Sequence, residues 1–312
     1  MKTDVLVSGY VSMDHIIRVA SPVKAGFTSL VTNPSNAQIF YGGCSVNIAY
    51  GLCRLGMNAL PILRVGDDFT SNGFKQFLQE GNVFLAGITE VPDEKTSVCY
   101  LIQDNQHDHM TIFYPGAMDG KYADKMDEEL FQNTGLGVIT VASRQDNEEF
   151  FGNCVKYNVP IVFGMKDDFD AFPEAFLKEI LLESEIIFTN EVEREIIERI
   201  YGFSDIKELF DKGKVNVIVT TLGKEGSMCY TRSAEGIKSS RIGIYPVADV
   251  VDATGSGDGY ITGFLYGYIN GYKPESCCRL GAIFSSYVLQ AEGCCTNMPS
   301  EEQLLEKFKS LK

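Results

Sequence analysis

Apolar and polar positions alternate along this chain in two different periods. Short β-branched runs at Val5 to Gly9, Leu60 to Val65, Val138 to Ala142, Pro160 to Gly164, Ile186 to Thr189 and Val215 to Thr220 each precede a stretch with helical spacing. Helices are predicted to begin near Val46, Ser71, Asn147, Pro173, Glu191 and Ser204, several of them behind a Gly, Asp, Asn or Ser able to cap a first turn. Strand and helix in alternation predict an α/β fold with a mostly parallel sheet wrapped by right-handed βαβ crossovers. Two stretches break the pattern, Met13 to Tyr41 and Thr96 to Phe113, where alternation and turn residues replace helical spacing. They read as a small β lid, spanning about residues 13–41 and 96–118, set into the larger unit. With no tandem repeat, low-complexity tract or linker-like segment, residues 1–312 are expected to form a single domain.

Composition narrows the function. Of 312 residues 45% are hydrophobic, enough for a substantial core. The 27 Lys+Arg against 42 Asp+Glu give a net charge of −15, the wrong sign for gripping nucleic acid or an anionic membrane. No run approaches the roughly 18 apolar residues that span a bilayer, and Met1-Lys2-Thr3 leads straight into a strand-like run, so a cytoplasmic protein is expected. The nine cysteines include no CxxC pair of zinc-site type and read as free, mostly buried thiols.

The strongest local signal is Asp252-Ala253-Thr254-Gly255-Ser256-Gly257-Asp258, followed by Ile261, Phe264, Leu265 and Tyr268 at helical spacing. Small residues thus crowd a helix's first turn. The backbone N–H groups of Gly255, Ser256 and Gly257 can point into an open concavity, where the helix dipole favours a phosphate or a developing negative charge. Asp258, in the same turn, could accept a proton from an attacking hydroxyl. In isolation the acid could instead serve only the helix dipole and the glycines only a tight turn. The segment is not a Walker A loop, which needs GxxxxGK[ST]. Nor is it a dinucleotide fingerprint, since it lies late in the chain with no following strand, and Gly9-Tyr10-Val11-Ser12 after the first strand supplies none, which argues against hydride transfer.

These residues resemble the C-terminal signature of the ribokinase-like (PfkB) carbohydrate and nucleoside kinases, Asp-Thr-x-Gly-Ala-Gly-Asp. The family's N-terminal signature resembles Gly42-Gly43, Asn47, Ala49, Gly56 and Gly66 at matching spacing. The likeness extends over nearly the whole chain through Gly9 to Asp14, Asn190-Glu191-Val192-Glu193, and Thr221-Leu222-Gly223-Lys224-Glu225-Gly226. It implies a three-layer α/β/α sandwich with a β-sheet lid and magnesium-dependent phosphoryl transfer from ATP, with Asp258 as base and the Gly255 to Gly257 amides as anion hole. It further implies that Asp14, Gly42, Gly43 and Asn47 hold the acceptor, that Asn190, Thr221, Gly223 and Gly226 contact the nucleotide, and that Glu193, indirectly, and Asn190 organise magnesium. Without the resemblance, Gly42 and Gly43 would be a strand-to-helix turn, Asn47 a polar first-turn residue, and Glu193 one exposed helix acid beside Glu191 and Glu195.

Ala253 and Ser256 depart from the family's Thr and Ala and could alter a monovalent-cation site near Asp252, a feature of some family members. Gly259 is expected to loosen its helix, being about 1 kcal/mol worse than Ala there. Gly66-Asp67-Asp68 also resembles a family motif, but acids before a helix commonly cap it, and these two read as structural. His107-Asp108-His109 reads as a solvated hairpin tip rather than a metal site, and the vicinal pairs Cys277-Cys278 and Cys294-Cys295 are given no chemistry.

For the acceptor, Phe27, Phe40, Tyr100, Phe113 and Tyr114 on the lid stretches offer aromatic surface for a base, or equally lid core. Tyr114-Pro115-Gly116-Ala117-Met118 resembles a segment of bacterial adenosine-kinase-like members, which implies a ribose-containing acceptor, a nucleoside or ribose, phosphorylated on its 5′ hydroxyl. A phosphosugar would want a converging cationic cluster, and only Lys24, Arg54 and Arg64 are scattered through the early half. The alternatives are a kinase of fructose or another sugar and a non-catalytic sugar or nucleotide sensor. A homodimer through exposed lid strands is a further expectation.

Overall fold

The computed structural model describes residues 3–106 and 109–310. Its strands, in chain order, are β1 (Thr3–Ser8), β2 (Ser12–Arg18), β3 (Phe40–Gly42), β4 (Ala59–Gly66), β5 (Ile88–Val91), β6 (Val98–Gln103), β7 (His109–Tyr114), β8 (Thr134–Ile139), β9 (Ile161–Gly164), β10 (Ser184–Asn190), β11 (Val217–Thr221), β12 (Ser227–Ser233) and β13 (Gly236–Ile242). The main sheet runs β13-β12-β11-β10-β9-β8-β1-β4-β5, and β2, β3, β6 and β7 form a second sheet in the order β3-β2-β6-β7. From β5 to β11 every pairing in the main sheet is parallel, and the last two, β11–β12 and β12–β13, run antiparallel.

The helices are α1 (Cys44–Arg54), α2 (Phe74–Glu80), α3 (Glu128–Gln132), α4 (Arg144–Lys156), α5 (Glu174–Glu183), α6 (Glu191–Tyr201), α7 (Ser256–Ile269), α8 (Pro274–Val288) and α9 (Glu301–Ser310). The layering follows from the period-2 side-chain alternation of buried strands. Val5 and Val7 of β1 point into a core with α1, α2, α7 and α8, whereas Leu6 between them points into the opposite core with α3 to α6. The segment near Ser204, expected as a helix, forms only the short 3₁₀ turn Ile206–Asp211.

Helices α7 and α8 pack closely because small residues line their contact. A side chain at Gly259 would sit 3.0 Å from Val288, one at Gly263 2.5 Å from the Leu280 carbonyl, and one at Gly281 2.7 Å from that of Tyr260. Gly259 therefore gives up helix propensity for backbone approach, rather than simply loosening the turn.

Chain direction sets where a ligand can enter. After β1 the chain passes through the lid to α1 on one face of the sheet, and after the neighbouring β8 it turns to α4 on the other. Such divergence opens a crevice at the carboxyl ends of the strands. The lid sheet stands over that edge, with Asp14, Cys99 and Phe113 in register on one face and His15, Tyr100 and Ile112 on the other. Asp67 and Asp68 do not cap α2, whose first N–H donates to Asn72 Oδ1. Asp68 instead accepts from the backbone and hydroxyl of Thr96, at 2.9 and 2.7 Å, and Asp67 pairs with Lys95, so the two acids tie the chain entering β6 to the end of β4. The hairpin tip expected at His107 and Asp108 lies outside the described residues. No helix among the described residues is long and apolar enough to cross a membrane.

Candidate active site

Chain segments far apart in sequence meet at the carboxyl edge of the sheet. Gly9 follows β1, Thr140 follows β8, Lys166 lies two residues beyond β9, and Asn190 and Thr221 close β10 and β11. Into this row points the N-terminus of α7. Gly255 is its N-cap in the left-handed region, φ 73°, and a side chain there would lie 2.5 Å from Cys294 Sγ. At Gly257 a side chain would meet nothing within 4 Å. The protein around Gly257 does not require a glycine, and the open space it leaves is what a phosphate on the helix's free amides would fill.

Asp258, third residue of α7, is 6% exposed and accepts a 2.8 Å hydrogen bond from Asn47 Nδ2. Burial raises its pKa, while Lys166 and the Asn47 bond pull the other way. Asn47, expected to contact the acceptor, bonds the candidate base directly, and its Oδ1 accepts from Cys295 Sγ at 3.4 Å. Gly42 lies between Asn47 and Asp14, since a side chain on it would sit 3.0 Å from Asn47 Oδ1 and 3.2 Å from Asp14 Oδ2.

Asp14, on the lid's inner face, is also 6% exposed and accepts from the Ser12 hydroxyl. Burial pushes its pKa from 3.8 to about 6, with Asp252 and Asp258 adding to the shift and Ser12 opposing it. Such a carboxyl binds protons more tightly folded than unfolded, so stability is lost as pH rises from 3.8 to about 6. The cost of keeping it ionised at neutral pH is about 3 kcal/mol. A carboxyl buried at that cost is a candidate ligand-binding group. Acceptor affinity, measured by calorimetry without ATP from about pH 5 to about pH 8, is expected to be flat above pH 6 and to weaken as pH falls below it. Asp14→Asn should abolish that dependence; a variant with the wild-type profile would show that another group sets it.

Two adjoining cavities run along the row. The larger, about 500 Å³, is walled mainly by apolar side chains, among them Ile244, Pro246, Val247 and Leu289, with Gly223 and Gly226 at its rim. Thr221, Gly257 and Tyr260 are shared with the smaller, about 110 Å³, which is lined by Lys166, Asn190, Glu193 and Asp258. An apolar pocket opening through glycine amides into a small polar chamber suits a nucleotide with its base in the first and its phosphates directed at Asp258.

Asn190 and Glu193 form a reciprocal capping box on α6, Asn190 Oδ1 accepting from Glu193 N at 2.8 Å and Glu193 Oε2 from Asn190 N at 2.7 Å. Glu193 is nonetheless buried, not an exposed helix acid, and it faces the small chamber; burial raises its pKa. Among the described residues no three His, Cys, Asp or Glu side chains come together as a metal cage. Asp252 is engaged at both oxygens, by Thr254 N at 2.9 Å and Gly293 N at 3.3 Å, which fixes the loop before α7.

Three features escaped the sequence reading. Lys166 stands in a run with Asp167, Asp168 and Asp170 that reads as solvated surface, and only the neighbouring strands place it in the chamber. Tyr10 packs edge-on against Phe113 at 4.9 Å, forming an aromatic wall beside the crevice. Cys294 and Cys295 pack beneath the α7 loop, against Gly255 and Asn47, and burial raises both thiols, so they remain protonated and serve as packing. Of the other lid aromatics, Tyr100 stacks on His15 on the outer face, Phe40 is core, Phe27 is exposed, and the Tyr114 hydroxyl donates to Glu94 at 2.6 Å.

Known proteins share this fold. A nucleoside kinase of Methanocaldococcus jannaschii is 27% identical over 304 residues, covering 96% of this chain and 95% of the relative. The crystal structure of M. jannaschii nucleoside kinase superposes with a TM-score of 0.84 at 25% identity, covering 99% of each chain. The Burkholderia thailandensis nucleoside kinase in complex with inosine gives 0.84 at 21% identity over 98% of each, a likeness of fold. The pfkB family carbohydrate kinase pattern matches residues 2–301. This chain therefore belongs to the pfkB family of carbohydrate kinases, ATP-dependent phosphotransferases acting on an alcohol group of a sugar or nucleoside.

Proposed function

We propose that this enzyme is a nucleoside kinase, transferring the γ-phosphoryl group of ATP to the primary 5′-hydroxyl of a ribonucleoside. The observation that carries the reading is the ordered line of groups along the crevice. It runs from the apolar pocket through the Gly255–Gly257 amides to Asp258 and Asn47, then Asp14 under the lid and the Tyr10–Phe113 wall. Asp14 is placed to accept from the ribose diol, and the aromatic wall offers a face to the acceptor's base. Asp258 takes the proton of the 5′-hydroxyl as its oxygen bonds to the γ-phosphorus and the bond to the β-phosphate oxygen breaks, releasing ADP. The α7 amides and dipole hold the transferring group in line.

The donor set fits magnesium held through phosphates and water. Glu193 has one oxygen left over from its capping bond, Asn190 stands beside it, and among the described residues no protein cage competes. When bound, the ion neutralises triphosphate charge.

The cations named as candidates for a phosphosugar are occupied or distant. Arg64 is buried and bidentate to Asp146, with its Nε donating to the Ala117 carbonyl at 2.8 Å; Arg54 donates to the Met298 carbonyl; and Lys24 is exposed. Asp119, Asp146 and Asp168 all act on Tyr10, whose pKa is pushed up to about 12, first by burial and then by these acids. Arg64 opposes these acids, but its guanidinium is already matched by Asp146 and is not free for an acceptor's phosphate.

ADP release from Mg-ATP across adenosine, inosine, cytidine, ribose, fructose and fructose 6-phosphate is the test. A ribonucleoside should exceed free ribose and fructose at least about tenfold in kcat/KM, with no turnover of the phosphosugar. Fructose or fructose 6-phosphate as best acceptor would overturn the reading, and binding without turnover across the panel would favour a sensor.

A further inference from the structure

Lys166 is the cationic side chain lining the chamber between the nucleotide pocket and Asp258. Its place follows from the sheet. β9 ends at Gly164 between β8 and β10, so the residues just after it emerge beside Thr140 and Asn190, facing the first turn of α7. Burial of a lysine beside this edge requires compensation. Yet among the described residues its ammonium makes no hydrogen bond and has no carboxylate within ion-pair distance. The charged and titratable groups facing it are Cys44 of α1, Asp258 of α7, Glu193 of α6 and Cys294 of the loop before α9.

Cys44, then Asp258 and Glu193, raise the lysine's pKa against the burial that opposes them. Burial pushes the Cys44 thiol itself up to about 12, so at neutral pH the two carboxylates keep Lys166 charged. A mostly buried cation, held by acids near it and bonded to none, is a charge free to meet an anion.

We propose that Lys166 is a catalytic residue of the transfer, its ammonium lying against the γ-phosphoryl group between Asp258 and Glu193. As the acceptor oxygen bonds to phosphorus and the bond to the β-phosphate oxygen breaks, the electron pair leaves with ADP and the proton passes to Asp258. Lys166 keeps its protons throughout and neutralises charge on the oxygens of the group in flight. Its second effect is on the base, because a cation at this place favours the ionised form of Asp258. The assignment rests on phosphoryl transfer at Asp258, not on the identity of the acceptor.

The experiment compares wild type, Lys166→Met and Lys166→Arg as full-length enzymes whose melting curves verify folding. Lys166→Met should lower kcat between about tenfold and a hundredfold, leave the acceptor KM within about threefold, and move the acid limb of kcat to higher pH. Lys166→Arg should recover part of the rate. Calorimetry with ADP and a non-hydrolysable ATP analogue supplies a readout that needs no acceptor: Lys166→Met should weaken the analogue at least about fivefold more than ADP. If wild type turned over no acceptor, the kinase reading would fail while this binding difference still tested Lys166. Equal weakening of both ligands, or an unchanged kcat with an unmoved acid limb, overturns the proposal, and a Lys166→Met that does not fold leaves the same comparison to be made with Lys166→Arg and Lys166→Gln.

Discussion

Asp258→Asn is expected to cut kcat by about a thousandfold, with KM for ATP and acceptor each within about threefold of wild type. The argument is one of isolation. The substitution keeps volume, and an amide at this position can turn its oxygen towards Asn47 Nδ2, so the 2.8 Å bond that fixes the side chain survives. The α7 amides and the open space at Gly257 are untouched. What disappears is an atom able to take a proton from the attacking hydroxyl. Because burial raises the pKa of Asp258 against the opposing pull of Lys166 and the Asn47 bond, the wild-type base is stronger than an ordinary carboxylate. The variant therefore loses the acid limb of kcat as well as its magnitude. Steady-state rates within about tenfold of wild type, or a preserved acid limb, would mean that another group accepts the proton. A large rise in the KM for ATP would instead place Asp258 in nucleotide binding.

The sequence carried those parts of the site that obey local rules. Gly255 to Asp258 could be read because small residues before a helical period leave amides free, and β1, β4 and β8 to β11 because buried parallel strands are β-branched runs. The β12–β13 hairpin escaped because an edge ribbon carrying Lys238 and Arg241 does not read as a buried strand. Pairings between distant segments escaped for a different reason. That Asn47 Nδ2 meets Asp258 depends on how α1 lies against α7, and that Lys166 faces Asp258 depends on β9 lying beside β8 and β10. Asp67 and Asp68 show the converse error, since a local capping rule predicted bonds that the chain instead makes to Thr96 and Lys95 across the sheet edge.

Gly43→Ala is expected to lower stability by about 3 kcal/mol or more and acceptor kcat/KM by about a hundredfold, with ADP affinity nearly unchanged. Gly43 caps α1 at φ 96° and ψ 149°, a region open essentially to glycine alone. A side chain there would collide with the Tyr10 carbonyl oxygen and lie 2.7 Å from Val11 Cα and 2.8 Å from Ser12 N. All three neighbours are backbone, so no rotamer change relieves the contact, and either α1 or the start of β2 must move. Moving β2 displaces Ser12 and, with it, Asp14, the proposed acceptor ligand; moving α1 displaces Asn47 from Asp258. The nucleotide pocket, built around β11, the loop before α7 and α8, lies away from both shifts. For a chain of 312 residues, 3 kcal/mol corresponds to a Tm lowered by about 5 °C. Gly56→Ala is the control, because Gly56 also has positive φ, 80°, but open space where the methyl would go, so it should show the cost of backbone conformation without loss of acceptor use. Equal losses of acceptor kcat/KM in the two variants would show that general destabilisation, not displacement of Asp14 and Asn47, accounts for the effect at Gly43.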